Sequence, residues 1–96
     1  MDRSSYVYIL SNGRYGTLYI GVSSDLIKRV WQHREGLCEG FTKTHGISRL
    51  VWYEVHQDIY SAITREKHLK KWNRAWKVKL ISNFNPTWRD LYDELM

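Results

Sequence analysis

The fold is decided by the stretch from Tyr6 to Val22, which reads YVYILSNGRYGTLYIGV. Both ends of this stretch are dense in aromatic and β-branched residues, which favour β-strands. Between them lies a glycine-rich segment that contains Asn12-Gly13, the strongest turn signal in the chain. Two strand-like runs joined by such a turn predict a β-hairpin with strands over residues 6–10 and 17–22.

The pattern becomes helical after the hairpin. Ser23-Ser24-Asp25 offers capping side chains, and Leu26, Val30 and Leu37 fall near one face of a helix that Gly36 would end. The remaining predicted elements are a polar loop over 39–45, a third strand over 48–56, a helix capped by Asp58, a break at Asn73-Arg74, a helix over 75–82 and a last helical segment starting at Asn85-Pro86.

The predicted order of elements is ββαβααα, which indicates an α+β fold with layers of helices and sheet. We expect a small, mainly antiparallel three-stranded sheet flanked by helices. The chain has 96 residues, which suffices for one domain over residues 1–96 and not for two. Because 43% of the residues are hydrophobic and 26% are charged, intrinsic disorder is excluded as a description of the chain.

Charge and cysteine content narrow the class of function. The chain has 15 Lys and Arg against 10 Asp and Glu, so its net charge is +5 and a polyanion such as nucleic acid is the default partner. Its single cysteine, Cys38, cannot form an internal disulfide, which predicts a reducing, cytoplasmic location. The first apolar run, residues 6–10, is too short for a membrane span, so we expect no membrane association.

Several polar side chains fall at positions that call for a chemical explanation. Arg29 and His33 are four residues apart on the first predicted helix, so they share a face. They are either a boundary pair whose stems pack on the core or a cationic pair directed at a phosphate. Glu66 falls on an apolar helix face, where it needs a partner: a basic side chain such as Lys70, or a cation such as Mg²⁺.

Tyrosines and a glycine mark the two hairpin strands. Tyr6 and Tyr8 face the same side of the first strand because side chains alternate, and Tyr19 lies on the neighbouring strand. Such tyrosines serve either cross-strand packing or a reaction. Gly21 follows Tyr19 by two residues, and a strand glycine can allow a backbone or a ligand to approach closely.

Basic residues interleave with tryptophans in the last third of the chain. This pattern suits either a surface that follows a phosphate backbone or a solvated face over a tryptophan-filled core. The predicted nucleic-acid contacts are Lys43, Lys67, Lys70, Lys71 and Arg74.

Taken together, these residues resemble the GIY-YIG nuclease superfamily, over nearly the whole chain and closest to its small single-domain bacterial type. The second motif is intact as Tyr19-Ile20-Gly21, whereas Tyr6-Val7-Tyr8 has Tyr6 in place of the motif glycine. Arg29 and His33 match the helix pair, and Glu66 matches the metal-binding carboxylate. The family also has an Asn near the end of the module, for which Asn85 is a weak candidate.

The resemblance implies a metal-dependent DNA endonuclease, acting in DNA repair or recombination. Because the sequence has no helix-turn-helix, zinc-finger or RNA-binding signature, we expect recognition of phosphates and shape with little sequence preference. The resemblance also implies one divalent cation, Mg²⁺ or Mn²⁺, held by Glu66. Arg29 would stabilise the transition state, and Tyr8 would activate water, for which we expect a phenolate favoured by nearby cations. Tyr19 and His33 would orient these groups or move protons. We expect DNA as the partner, with RNA left open, and a monomer, with dimerisation on DNA left open.

Two other functions stay open from the sequence. One is a nucleic-acid-binding module that uses the same groove without efficient catalysis. The other is a small interaction domain in which the tyrosines and tryptophans are all core and Arg29 bonds to Glu66.

Overall fold

The computed structural model describes residues 4–38 and 40–96, and it confirms the α+β fold. Three strands form one antiparallel sheet in the order β2-β1-β3, so the first strand lies in the centre. The strands are β1 Ser5–Ser11, β2 Leu18–Ser23 and β3 Arg49–His56, and the helices are α1 Leu26–Arg34, α2 Phe41–Thr44, α3 Ile59–Lys71 and α4 Arg74–Phe84, followed by a 3₁₀ helix at Tyr92–Leu95.

The hairpin has the predicted form, and its register places the tyrosines. Tyr8 pairs with Gly21, and Leu10 pairs with Tyr19. Because side chains alternate along a strand, Tyr6, Tyr8 and Tyr19 pack on one face of the sheet. The hairpin therefore brings both tyrosine-rich motifs to the same layer.

Both faces of the central strand are covered, which explains why β1 is apolar along almost its whole length. On one face, Tyr8 and Leu10 pack with Leu26 and Val30 of α1. On the other face, α3 and α4 cover the sheet, and that core is formed by Val7, Ile9, Ile20, Val51, Trp52, Ala62, Leu69, Ile81 and Trp88. A strand buried on both sides reads as a continuous hydrophobic run.

The starts of α1 and α3 follow the predicted caps, whereas Asn73, which was predicted as part of a break, is the cap of α4. The side chain of Asp25 accepts a hydrogen bond from the backbone N–H of Lys28, and Asp58 and Asn73 cap α3 and α4 in the same way. Such caps are local signals, which is why the sequence reveals them. Among the described residues, no helix combines the length and apolar character needed to cross a membrane.

The buried face of α1 differs from the prediction at its end. The helix stops at Arg34, and Gly36 adopts a left-handed conformation with a φ of 70°. Leu37 therefore lies outside the helix and is 59% exposed, so its assignment to the apolar face was wrong. His33 takes the third buried position beside Leu26 and Val30.

The prediction of a helix starting at Asn85-Pro86 was also wrong. Asn85 is the C-cap of α4 and is only 1% exposed. Its side-chain amide donates to the carbonyl oxygens of Val51 and Arg89, at 3.2 and 2.8 Å, and its oxygen accepts from the Arg89 N–H at 3.3 Å. Asn85 thus ties the C-terminal segment to β3, which explains the residue without a role in a reaction.

Two further differences concern the segment between α1 and β3 and the last element of the predicted order. The segment predicted as a polar loop over 39–45 contains the one-turn helix α2, and the final turn is the short 3₁₀ helix rather than an α-helix. The layers and the sheet are unaffected by either difference.

We predict that Asn85→Ala lowers the free energy of unfolding by roughly 2–4 kcal/mol, because it leaves buried carbonyl and N–H groups without partners. The measurement is chemical denaturation followed by circular dichroism. Asn83→Ala, at an exposed position two residues earlier, is the matched control and should stay within about 0.5 kcal/mol of wild type. Equal stability of the two variants would contradict the structural role of Asn85.

Candidate active site

Three of the predicted site residues meet on the α1 side of the sheet. The ring centroid of Tyr8 lies 6.4 Å from that of Tyr19 and 6.0 Å from that of His33, and Tyr19 and His33 are 5.4 Å apart. Tyr8 is 1% exposed and His33 is 7% exposed, whereas Tyr19 is half-buried. Residues from both hairpin strands and from α1 therefore form one cluster.

Hydrogen bonds connect this cluster into a chain. The Tyr8 hydroxyl lies 3.2 Å from Nε2 of His33, and Nδ1 of His33 lies 3.2 Å from Oγ1 of Thr42. Thr42 is buried on α2, in a segment that the sequence analysis treated as a loop and that gave no signal of its own. It is the one site residue among those described that sequence reasoning missed.

Gly21 makes room for the Tyr8 ring. A Cβ placed on Gly21 would lie 2.5 Å from Cζ of Tyr8 and would also collide with the hydroxyl oxygen. The sequence predicted a close approach at this glycine, and the approaching group is the ring of the cross-strand tyrosine. Any side chain at position 21 would displace the hydroxyl from His33.

Burial decides the protonation state of the two central groups. Desolvation raises the pKa of Tyr8 to about 12, and the neighbouring Arg29 guanidinium opposes this only in part. Burial, together with the charge of Arg29, lowers the pKa of His33 to about 4. Both side chains are therefore neutral near pH 7, and the expected phenolate at Tyr8 is contradicted because desolvation outweighs the nearby cation.

Arg29 lies at the edge of this neutral cluster and is partly exposed. Its hydrogen bond to Tyr8 raises its own pKa, against the opposing effect of burial, so the guanidinium stays charged. Its Nη1 also donates to Oε1 of Gln32 at 3.3 Å. The site thus presents a fixed cation beside a neutral Tyr-His pair.

Glu66 lies in the other layer of the molecule. It sits between Ala62 and Leu69 on the face of α3, which packs on β1 and β2 from the side opposite α1. Its side chain is 19% exposed, and one carboxylate oxygen lies 3.5 Å from Nζ of Lys70. Among the described residues, Arg29 and Glu66 do not bond to each other, contrary to the interaction-domain reading.

Glu66 suits one type of cation site. The described residues contain no group of three or more His, Cys, Asp or Glu side chains that could hold a metal. Mg²⁺ commonly binds through one or two carboxylates, with water and phosphate oxygens completing its coordination. The shielded carboxylate of Glu66 fits that donor set, and the exposed Lys70 that pairs with it is free to turn towards solvent.

Tyr6, which stands in place of the motif glycine, does not enter the cluster. It is half-buried and packs on the α1 face, where it lines a hollow of about 220 Å³ with residues such as Asp25, Leu26 and Leu95. Its bulk is accommodated at the start of α1.

The basic residues divide into two groups. Lys43, Lys67, Lys70 and Lys71 are exposed, as the predicted nucleic-acid contacts require. Arg74 has a structural role in addition, because its Nη2 donates to the backbone carbonyls of Tyr15 and Gly16 at 2.6 and 2.8 Å. This contact ties the start of α4 to the hairpin turn.

Comparison with known proteins finds relatives that match most of the chain. The chain is 35% identical over 82 residues to a UPF0213 protein of Staphylococcus saprophyticus, covering 85% of this chain and 98% of that protein. It is 35% identical over 79 residues to a UPF0213 protein of Clostridium perfringens, covering 82% and 84% of the two chains.

A solved structure and a family model extend the comparison. The solution NMR structure of a UPF0213 protein from Bacillus halodurans shares 30% identity and a TM-score of 0.51, with 82% of this chain and 83% of that chain covered. The model of the GIY-YIG catalytic domain matches residues 4–79. This span contains both hairpin tyrosines, Arg29, His33, Thr42 and Glu66, and the chain therefore belongs to the GIY-YIG family of nuclease domains.

Proposed function

We propose that this protein is a metal-dependent DNA endonuclease with little sequence preference. The observation that carries the proposal is the hydrogen-bonded chain Tyr8–His33–Thr42 beside the charged Arg29. A neutral proton relay next to a fixed cation suits the hydrolysis of an anionic ester. The chain belongs to a family of nuclease domains, which supports phosphodiester hydrolysis as the reaction.

Arg29 supplies the electrostatic part of the proposed mechanism. Its guanidinium is planar and always charged, so it can bind two phosphate oxygens at once. Because Tyr8 and Gln32 already orient it, little reorganisation is needed when negative charge grows on the phosphate. Arg29 therefore stabilises the transition state of phosphodiester hydrolysis.

Tyr8 and His33 supply the proton transfer, in a form that does not require a phenolate. With its proton on Nδ1, neutral His33 donates to Thr42 and accepts from the Tyr8 hydroxyl at Nε2. The Tyr8 oxygen then accepts a proton from the attacking water while its own proton passes to Nε2, and the departing oxygen takes a proton from solvent as the P–O bond breaks. Because burial disfavours a charged imidazole, His33 then releases its proton to solvent. Tyr19 orients the other two rings, against which it packs.

Glu66 is the proposed ligand of a single divalent cation, Mg²⁺ or Mn²⁺. When bound, such a cation neutralises charge on the scissile phosphate and on the leaving oxygen. Glu66 and the Tyr-His pair lie in different layers, but α3 packs on β2, which is an edge strand. A substrate whose phosphate lies along the β2 edge could contact both Glu66 and the Tyr-His pair.

DNA is the proposed substrate, with RNA left open, and recognition is proposed to rest on phosphates and shape. The exposed residues Lys43, Lys67, Lys70 and Lys71 would bind phosphates without reading bases. We further propose a monomer that acts in DNA repair or recombination in the cytoplasm, where a lone thiol such as Cys38 stays reduced.

One observation favours a second candidate, a nucleic-acid-binding module that cuts poorly. Glu66 already forms an ion pair with Lys70, so the charge of its carboxylate is compensated without a metal ion. Under this alternative the same surface binds nucleic acid, and Tyr8 and His33 contribute to packing without taking part in a reaction.

The first test is cleavage of plasmid and branched DNA in the presence of Mg²⁺ or Mn²⁺. We predict metal-dependent cutting that falls by two orders of magnitude or more in Glu66→Ala, because the cation loses its protein ligand. Glu94→Ala, which removes an exposed carboxylate from a surface ion pair with Arg89, is the matched control and should cut like wild type. Salt-sensitive DNA binding without cutting by wild type would favour the binding module instead.

The second test concerns the protonation of His33. Because the folded-state pKa is lowered to about 4, His33 keeps its accepting form throughout the neutral range and loses it only as the pH falls towards 4. We predict an NMR titration midpoint near this value in the metal-free protein. Arg29→Gln should raise the midpoint partway, since it removes one cause of the shift and leaves burial. A wild-type midpoint near the ordinary value of about 6.5 would contradict the buried relay.

The third test concerns Thr42 as the residue that positions His33. Thr42→Val keeps the shape of the side chain and removes the hydroxyl, so Nδ1 loses its partner. We predict a drop in cleavage of roughly 5- to 100-fold, together with a changed His33 tautomer in ¹⁵N NMR spectra. Thr42→Ser should restore both. An unchanged tautomer in Thr42→Val would show that Thr42 does not position the ring.

A further inference from the structure

A stripe on α4 combines aromatic, basic and amide groups. Trp76, Lys79, Leu80 and Asn83 recur at a spacing of three or four residues, so they share one face of the helix. With Trp72 they line a groove of about 270 Å³. The stripe belongs to the layer opposite Tyr8 and His33, and the proposed mechanism does not use it.

Trp76 is held in place although it is 57% exposed. Its ring meets that of Trp72 edge to face, with centroids 5.8 Å apart and an angle of 88° between the planes. Trp72 is in turn fixed by the core that it packs against and by the Arg65 guanidinium, 5.4 Å from its ring centre. An exposed aromatic ring of this size is unfavourable for solubility. Because it is also held rigidly, it can stack against a planar group of a ligand.

The charge around the platform is positive. Residues 67–89 contain no Asp or Glu, and Lys79 itself lines the groove. A neighbouring hollow of about 350 Å³ shares Leu80 and Asn83 with the groove and includes one carboxylate, that of Glu54. That carboxylate is paired with Arg65 at 3.1 Å and with His56 at 2.7 Å, so its charge is offset.

We propose that this groove binds an unpaired base of single-stranded DNA. The base stacks on Trp76, Lys79 binds the adjacent phosphate, and the side-chain amide of Asn83 offers hydrogen bonds to the base edge. Stacking on aromatic side chains beside basic residues is how proteins hold single strands without reading their sequence. The inference rests on the proposed function and deepens it, since it names DNA with an unpaired segment as the substrate class.

An unpaired base fits the observations better than a duplex does. In a duplex both faces of each base are covered by neighbouring pairs, so only phosphates could reach this surface and Trp76 would add nothing. The run of positive charge along residues 67–89 also favours a polyanion over an uncharged protein partner.

The test is fluorescence anisotropy with labelled oligothymidylate and with a blunt duplex of equal length, at low salt and with EDTA present to prevent cutting. We expect Trp76→Ala to weaken binding of the single strand by roughly 5- to 100-fold and Trp76→Phe to retain most of the affinity. Duplex binding should be unchanged in both. Trp31→Ala, at the 45% exposed tryptophan of α1, is the matched control and should bind like wild type.

Each other outcome of the binding experiment would overturn the inference. These outcomes are wild-type affinity in Trp76→Ala, an equal loss for duplex and single strand, or an equal loss in Trp31→Ala. The cleavage assay separates this inference from the nuclease proposal. If the protein cuts DNA but Trp76→Ala binds like wild type, only the stacking site is contradicted. If Trp76→Ala weakens binding but the wild type does not cut, only the nuclease proposal is contradicted.

Discussion

The rest of the candidate site depends on the close packing of the Tyr8 ring over Gly21. Tyr8 lies on the central strand, and its hydroxyl can reach His33 only because the paired position on β2 has no side chain. The same pairing fixes the register of the hairpin, so fold and site share one steric requirement. A shift of one residue between β1 and β2 would place Tyr8 and Tyr19 on opposite faces of the sheet, because side chains alternate along a strand.

Burial then determines what this cluster can do. The cations near Tyr8 suggested a phenolate from the sequence, but a buried phenol loses more hydration on ionisation than one partly exposed guanidinium returns. The desolvation that keeps Tyr8 neutral also keeps His33 neutral, so Nε2 of His33 can accept a hydrogen bond near pH 7, while the same burial disfavours a lasting imidazolium. In the proposed mechanism the buried pair therefore passes a proton on without storing it, and the charge of Arg29 is left for the phosphate.

The parts that the sequence predicts are those set by local chemistry. Strand-forming runs around Asn12-Gly13, the capping residues and the spacing of Arg29 and His33 need no knowledge of distant contacts. Thr42 and Asn85 behave differently, because their roles come from partners that the fold supplies: His33 for Thr42, and the backbone of Val51 for Asn85. The same amide that suggests a helix start before a proline instead closes α4, so tertiary hydrogen bonds override the local signal.

The two proposed sites lie in different layers, and Arg74 connects them. Its guanidinium holds the turn of the hairpin that carries both site tyrosines, and Trp76 lies two residues further along α4. The stacking platform and the hairpin are thus parts of one rigid frame rather than separate surfaces joined by a flexible linker. A substrate that contacts both would be bound across two surfaces of one domain, with its unpaired segment on the α4 side. Under the proposed function, such a frame would favour recognition of DNA structure over recognition of base sequence.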